Sequence, residues 1–243
     1  MIVKYNRREF TKSALAAGAA VAIGGNSVLA GPADLIQKPI PSSGETIPVI
    51  GLGTVRYGVG ESQAAREPLR AALGRFHELG GTVIDTAPMY RPSESVLGDL
   101  IASLGIRDKL FVATKVDRRS RAASNESMRT SLQELRVEKI DLMQVHNLVG
   151  WRESIPLIRE WQQAGRVRYI GITTSRSSQY AEMERIMRQE DLDFIQVDYS
   201  LGQREAAKRI LPLAADRGMA VMINRAFGAG RIFSRVSGKP LPK

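Results

Sequence analysis

The sequence contains no cysteine and only two histidines, His77 and His146, among its 243 residues. Without cysteine the chain can form no disulfide, no thiolate metal site and no thiol nucleophile. Two histidines are also too few for a histidine-rich metal centre. The reactive groups that remain are carboxylates, amines, hydroxyls, phenols and the two imidazoles.

Positive charge is in excess, but it is not concentrated. The formal net charge is +10, and hydrophobic residues make up 43% and charged residues 25% of the chain, as in an ordinary globular domain. Residues 1–30 contain four basic residues and one acidic residue, so +3 of the charge belongs to that segment. The one basic cluster in the remainder, Asp117 to Arg121, is typical of a solvated loop. This distribution favours small anionic ligands such as phosphates over nucleic acid.

The first thirty residues resemble a twin-arginine export signal. The pair Arg7-Arg8 precedes an apolar run, Ser13 to Gly25, that is short for a transmembrane span, and Val28 to Ala30 supplies small or apolar residues at the cleavage position. We therefore expect residues 1–30 to be a signal peptide read by the bacterial twin-arginine machinery, and residues 31–243 to form one exported or periplasmic domain. An uncleaved anchor or a chance pair of arginines is the alternative.

Strand and helix patterns alternate along the rest of the chain after a predicted hairpin between Lys38 and Pro48. Short apolar runs predict strands, and apolar residues at spacings of three and four predict helices between them. The seven predicted strands are Val49–Val55, Thr82–Asp85, Leu110–Val116, Ile140–His146, Arg168–Thr173, Phe194–Tyr199 and Ala220–Asn224. Such alternation predicts an α/β protein with a parallel sheet.

Two parallel architectures are consistent with this pattern. A doubly wound sheet usually has a Gly-rich fingerprint after its first strand, but Gly51-Leu52-Gly53 lacks the third glycine of that motif. A TIM-type (β/α)8 barrel instead collects its chemistry at the carboxyl ends of several strands. Asp85, Lys115 and His146 lie at or near the carboxyl ends of three consecutive strands, so the sequence favours the barrel.

These three residues and Tyr90 form a set with a coherent chemistry. A phenol, with an ordinary pKa of about 10, is a weak acid at neutral pH, and a nearby ammonium such as that of Lys115 stabilises a phenolate. Asp85 would hold Lys115 charged, and His146 could orient a carbonyl oxygen. The set suits protonation of a carbonyl oxygen during hydride transfer. Because no side chain supplies hydride, a nicotinamide cofactor is implied.

The sequence resembles the aldo-keto reductases in these segments. Gly81 to Tyr90 is similar to the family's Asp-to-Tyr signature, Ala164 to Thr173 to its Gly-x-x-Arg-x-Ile-Gly segment, and Gln196 to its strand-six glutamine. The resemblance implies that Tyr90 is the general acid and that His146 orients the substrate. It also implies that NADP(H) binds across the mouth of the barrel. The residues that it implies for cofactor binding are Gly53, Thr54, Asp85, Thr173, Thr174, Gln196, Asn224, Arg225, Phe227 and Gly228.

Three segments depart from the family pattern. Thr173-Thr174 replaces a common Ser-Asn pair, and Asn224 stands where an aromatic residue often stacks on the nicotinamide. After Phe233 no pattern predicts an eighth strand, although the barrel of the family needs one to cover the edges of its first and seventh strands. We therefore expect an incomplete barrel, truncated at the carboxyl end, and weak binding of NADP(H) by this chain alone.

Two other functions remain open from the sequence. A lysine at a strand end can form a Schiff base with a carbonyl substrate, so Lys115 could serve a lyase. An aldo-keto reductase-like chain without its carboxyl-terminal elements could also be a non-catalytic binding protein. The complete set of Asp85, Tyr90, Lys115 and His146 favours the reductase over both.

Overall fold

The computed structural model describes residues 35–240, so the predicted leader lies outside the described residues. Within this range, no helix has both the length and the hydropathy needed to cross a membrane. Nine strands and seven α-helices follow one another in the described part of the chain. The strands are β1 (Gln37–Pro39), β2 (Thr46–Pro48), β3 (Gly51–Gly53), β4 (Val83–Asp85), β5 (Phe111–Val116), β6 (Ile140–His146), β7 (Val167–Thr174), β8 (Phe194–Asp198) and β9 (Ala220–Asn224). The helices are α1 (Gln63–Glu78), α2 (Ser93–Leu104), α3 (Arg121–Leu135), α4 (Trp151–Gln163), α5 (Tyr180–Gln189), α6 (Ala206–Asp216) and α7 (Arg231–Val236).

The main sheet is parallel and contains seven strands in the order β3-β4-β5-β6-β7-β8-β9. The order never reverses, so right-handed crossovers place the connecting helices on one face of the sheet and curl it around the other. This is the strand arrangement of a TIM-type barrel rather than of a doubly wound sheet. The predicted fold class, an α/β barrel of about seven strands, is confirmed. Within residues 35–240, the outer edges of β3 and β9 pair with no further strand.

The hairpin β1-β2 lies at the amino-terminal end of the curled sheet. Ile40, from its turn, is fully buried in one cluster with residues from the inner face of the strands, including Phe111 and Phe194. The Tyr169 hydroxyl donates to Glu45 Oε2 at 2.6 Å, which ties the hairpin to β7. The hairpin therefore covers the amino-terminal end of the sheet, and the carboxyl-terminal end is the one that a substrate can reach.

Alternation along the strands decides which side chains reach that end. In β5, Phe111 and Ala113 lie in the inner cluster while Val112 and Val116 pack under the helices, so Lys115 falls on the inner face. The same alternation puts Gln144 and His146 of β6 on the inner face. The parallel register pairs Lys115 with Gln144. The sequence pattern thus fixes the direction of each of these side chains.

Among the boundaries that differ from the predicted ones, two have an identifiable cause, and one further helix was not predicted. The first core strand is only Gly51–Gly53, because Val49 donates its backbone N–H to Ile36 O at 2.9 Å in the hairpin segment. Helix α3 begins at Arg121 rather than near Ser124, because the Ser120 hydroxyl accepts from Ala123 N and caps the helix. The six-residue helix α7, which the sequence did not predict, follows the turn at Gly228–Gly230.

Candidate active site

Lys115 and Asp85 form an ion pair on the inner face of the sheet. Lys115 Nζ lies 2.7 Å from Asp85 Oδ1, 2.8 Å from Asp85 Oδ2 and 2.7 Å from the carbonyl oxygen of Thr86. Only 1% of the Lys115 side chain is exposed, against 17% for Asp85. An ammonium has three hydrogens, and here three oxygen acceptors surround it, so the buried charge is fully compensated.

Tyr90 stands beside this pair on a short 3-10 helix, Pro88–Tyr90, that follows β4. Its ring centroid lies 5.3 Å from Lys115 Nζ and 6.1 Å from the His146 ring, which it meets edge-on. The backbone after β3 supports this turn: a Cβ on Gly58 would lie 2.2 Å from the Arg91 carbonyl oxygen, so only glycine permits the approach. The structure therefore brings together the four residues predicted to be catalytic.

His146 ends β6 as a buried and neutral imidazole. Burial, and to a smaller extent the positive charge of Lys115, lowers its pKa to about 4 against the opposing effects of Asp117 and Asp85. Its Nδ1 is buried and has no hydrogen-bond partner within the described residues. At neutral pH this ring can therefore exchange hydrogen bonds with a ligand, but it does not add a positive charge to the site.

Thr173, Gln196 and Asn224 continue the inner face beyond His146. The register places His146 beside Thr173 and Thr173 beside Gln196, and the Thr173 hydroxyl donates to Gln196 Oε1 at 3.0 Å. Asn224 pairs in register with Asp198 at the end of β9, and its buried Oδ1 has no partner within residues 35–240. These three predicted cofactor-binding residues thus lie along one row with the catalytic set.

The remaining candidates after β9 belong to an exposed turn. Arg225 has a left-handed backbone with φ of 53°, and Phe227 is 61% exposed with its ring 5.1 Å from that of Phe233. Gly228 begins the short 3-10 helix and also has positive φ. This turn follows Asn224 directly, and the N–H groups of Gly228 and Gly230 donate within it to the carbonyl oxygens of Arg225 and Phe227.

Three residues predicted to bind the cofactor offer no side chain to the inner face. The Thr54 hydroxyl is fully buried and donates to the Asp85 carbonyl oxygen at 3.2 Å. Thr174 alternates to the outer side of β7, where its hydroxyl donates to Gln179 Oε1 at 2.5 Å. Gly53, at the end of the edge strand, faces open space. Only backbone groups of these three residues are available to a ligand on the inner face.

Glu94 is a buried carboxylate near the site that the sequence did not single out. It lies in the first turn of α2 and accepts from Thr114 Oγ1 at 2.5 Å and from Ser131 Oγ at 3.1 Å. Burial, with a smaller contribution from Glu134, raises its pKa from 4.5 to about 7 against the lowering effects of the two hydroxyls and of the Lys115 charge. No basic residue pairs with it among the described residues, so its charged form is poorly compensated.

Glu94→Gln is expected to make the protein more stable above neutral pH. Because the folded-state pKa is raised, the native protein holds a proton that the unfolded chain loses, and this stabilisation is complete below about pH 4.5 and lost as the pH rises through about 7. The variant should match the wild type near pH 4.5 and exceed it by about 3 kcal/mol above pH 7 in the free energy of unfolding by urea. Exposed Glu138 supplies the control, Glu138→Gln, for which no such divergence is expected. Parallel pH curves for Glu94→Gln and the wild type would contradict this account.

Comparisons with known proteins show the family to which this chain is similar. A sequence model described as the aldo/keto reductase family matches residues 49–241. An aldo-keto reductase of Bacillus subtilis, YhdN, is 31% identical over 208 residues that cover 77% of this chain and 61% of that protein. The methylglyoxal reductase YeaE of Escherichia coli is 30% identical over 194 residues, covering 76% of this chain and 66% of its own length. The chain thus spans less than two thirds of both relatives.

Solved structures are similar over most of the chain. A Klebsiella pneumoniae aldo/keto reductase in complex with NADP and acetate superposes with a TM-score of 0.67 and 27% identity, covering 80% of this chain and 69% of that one. Another structure of an aldo-keto reductase from Klebsiella pneumoniae, in complex with NADPH, gives a TM-score of 0.69 and 28% identity over 82% of this chain and 71% of that one.

Proposed function

Since the chain belongs to the aldo/keto reductase family, we propose that it is an NADP(H)-dependent oxidoreductase that reduces an aldehyde or ketone to an alcohol, with Tyr90 as the general acid. The observation that carries the proposal is the meeting of Lys115, Asp85, Tyr90 and His146 at one end of the sheet. A phenol beside a buried, fixed ammonium is a proton donor for a carbonyl oxygen.

Each residue of the set has a separate task in this reaction. The Tyr90 hydroxyl gives its proton to the substrate oxygen as that oxygen gains negative charge. Lys115 stabilises the phenolate that remains, and Asp85 holds the ammonium in place through both carboxylate oxygens. His146, neutral at working pH because its pKa is about 4, orients the carbonyl oxygen through a hydrogen bond without competing as an acid.

The inner row beyond His146 fits a nicotinamide cofactor. The buried Asn224 Oδ1 accepts no hydrogen bond from any residue between 35 and 240, and the Gln196 amide lies beside the site. A carboxamide with one donor and one acceptor group would therefore complement them. Arg225 and the turn at Gly228–Gly230 would hold phosphate. When bound, NADPH supplies hydride to the carbonyl carbon. The Klebsiella structures support this choice of cofactor, since those relatives are in complex with NADP and NADPH.

The hydrogen bonding of Lys115 counts against a Schiff-base mechanism. A lysine nucleophile needs an unprotonated amine with a free lone pair. Lys115 Nζ instead donates to three oxygen acceptors, two of them on a carboxylate, so no such lone pair is left for a substrate carbonyl carbon. We therefore assign Lys115 an electrostatic role.

The proposal is tested by the oxidation of NADPH in the presence of small aldehydes and ketones, including methylglyoxal. We expect carbonyl-dependent loss of NADPH absorbance with formation of one alcohol per NADPH oxidised. When borohydride is added with the carbonyl substrate but without cofactor, mass spectrometry should show that Lys115 is unmodified. Trapping of substrate on Lys115, or no NADPH oxidation with any carbonyl at saturating cofactor, would refute the reductase.

A further inference from the structure

Gln144 is a fully buried amide that touches the ion pair from the neighbouring strand. It lies in β6 beside Lys115 in the parallel register, with no exposed surface. Its Nε2 donates to Asp85 Oδ1 at 3.3 Å, and its Oε1 has no partner within the described residues. The opposite orientation of the amide would place Oε1 against a carboxylate oxygen, so electrostatics favour the donor toward Asp85.

A glutamine at this position is unfavourable for stability alone. A buried amide oxygen without a donor loses its hydration without replacement, whereas inner positions nearby are occupied by apolar residues such as Leu142. On the other side, Gly171 leaves the space that the glutamine stem occupies, because a Cβ there would lie 3.1 Å from Gln144 Cγ. Of the two polar atoms that an apolar side chain of this size would lack, only the Nε2 donor has a partner among the described residues.

The three hydrogens of Lys115 leave none for the Tyr90 oxygen. Two are directed at the two oxygens of Asp85 and one at the Thr86 carbonyl. When Tyr90 gives up its proton, the ammonium can best stabilise the phenolate by turning one N–H toward it. That turn deprives Asp85 Oδ1 of a donor unless another group supplies one, and the Gln144 amide is already 3.3 Å from that oxygen.

We propose that Gln144 is a positioning residue that holds Asp85 Oδ1 while one Lys115 N–H moves to the Tyr90 oxygen during proton transfer. This inference rests on the proposed reductase function. Gln144 touches neither the substrate nor the transferred proton, and it acts through the Lys115–Asp85 pair. The charged and titratable groups that surround the step are Asp85, Lys115, Tyr90 and His146, and beyond them Glu94 interacts electrostatically with Lys115 and Asp117 with His146.

The central test is Gln144→Leu, which keeps the volume and removes the donor. We expect kcat to fall about tenfold, the effect of one lost hydrogen bond to a charged group. The dissociation constant for NADPH and the thermal midpoint should stay unchanged, because the substitution also removes the unpartnered Oε1 of Gln144. Gln163→Leu, at an exposed position of α4, is the matched control and should leave kcat unchanged.

Gln144→Glu separates positioning from packing. A carboxyl group can donate to Asp85 only while protonated, so this variant should exceed Gln144→Leu in kcat at the acidic end of the profile and lose that advantage as the pH rises. A Gln144→Leu protein with wild-type kcat would overturn the proposal. A fall in kcat that is accompanied by a clear fall in the thermal midpoint would also overturn it. So would a dependence of kcat on pH that is the same for Gln144→Glu as for Gln144→Leu.

An optical measurement makes the outcome independent of turnover. The phenolate absorbance difference between the wild type and Tyr90→Phe reports ionisation at position 90 alone. In Gln144→Leu its alkaline midpoint should move up by about one pH unit, the equivalent of the tenfold change. If the midpoint moves and no carbonyl is reduced by the wild type, the positioning role stands and the reductase function fails. If carbonyls are reduced and the midpoint does not move, the positioning role fails.

Discussion

Tyr90→Phe is expected to lower kcat for carbonyl reduction by about 100- to 10,000-fold, the range for loss of a positioned general acid. The variant removes one hydroxyl and keeps the ring, which lies 5.3 Å from Lys115 Nζ and 6.1 Å from the His146 ring. The thermal midpoint and the NADPH dissociation constant should therefore change little. The measurement is steady-state kcat and KM with the best carbonyl substrate, together with fluorescence titration of NADPH.

A second tyrosine supplies the matched control. The Tyr169 hydroxyl lies at the opposite end of the sheet, where it bonds to Glu45 at 2.6 Å and to Ser43 at 2.7 Å. Tyr169→Phe should cost stability, on the order of 1 kcal/mol in the free energy of unfolding, and leave kcat near the wild-type value. A Tyr90→Phe protein that retains more than about a tenth of wild-type kcat would remove Tyr90 from the acid role.

Lys115→Met is expected to impair both stability and activity. The substitution keeps a long side chain and removes the ammonium, so Asp85, of which only 17% is exposed, loses its counter-charge. Removal of one partner of a buried pair costs about 3 kcal/mol or more. At neutral pH we expect that decrease in the free energy of unfolding by urea, and a fall in kcat of at least about 100-fold because the phenolate is no longer stabilised.

The double variant Lys115→Met with Asp85→Asn distinguishes the two effects. It contains no uncompensated charge, so it should regain most of the lost stability while its kcat stays as low as that of Lys115→Met. The exposed pair Lys208–Glu205, 2.8 Å apart, is the control, and Lys208→Met should change the free energy of unfolding by about 0.5 kcal/mol or less. Additive stability losses in the double variant would mean that Lys115 and Asp85 are not energetically coupled.

The sequence was sufficient for the placement of the catalytic set at one end of the sheet. Period-two alternation puts Lys115 and His146 on the same face, and a parallel sheet brings the carboxyl ends of its strands to one edge. Gln144 could have been found in the same way, since it precedes His146 by two residues on the same strand. It was missed because an isolated glutamine carries no motif.

Local sequence could not decide how the side chains are used. Thr54 and Thr174 fall within predicted cofactor-binding segments, yet their hydroxyls bond to Asp85 O and to Gln179. The partner of Thr54 is distant in the chain, and the partner of Thr174 is brought close by the path of the loop that follows β7. The first core strand is shorter than predicted for a similar reason, because the Val49 N–H donates to the Ile36 carbonyl oxygen in the hairpin segment.

The sequence by itself determined the alternation of strands and helices, the inward direction of Lys115 and His146, and the proximity of Asp85 and Tyr90 to the end of one strand. These properties follow from short-range periodicity. Only the tertiary structure decided that Lys115 has three oxygen acceptors, that His146 is neutral with a pKa of about 4, and that Glu94 is buried with a pKa of about 7. Those properties depend on desolvation and on charges brought together from separate strands, which no local pattern records.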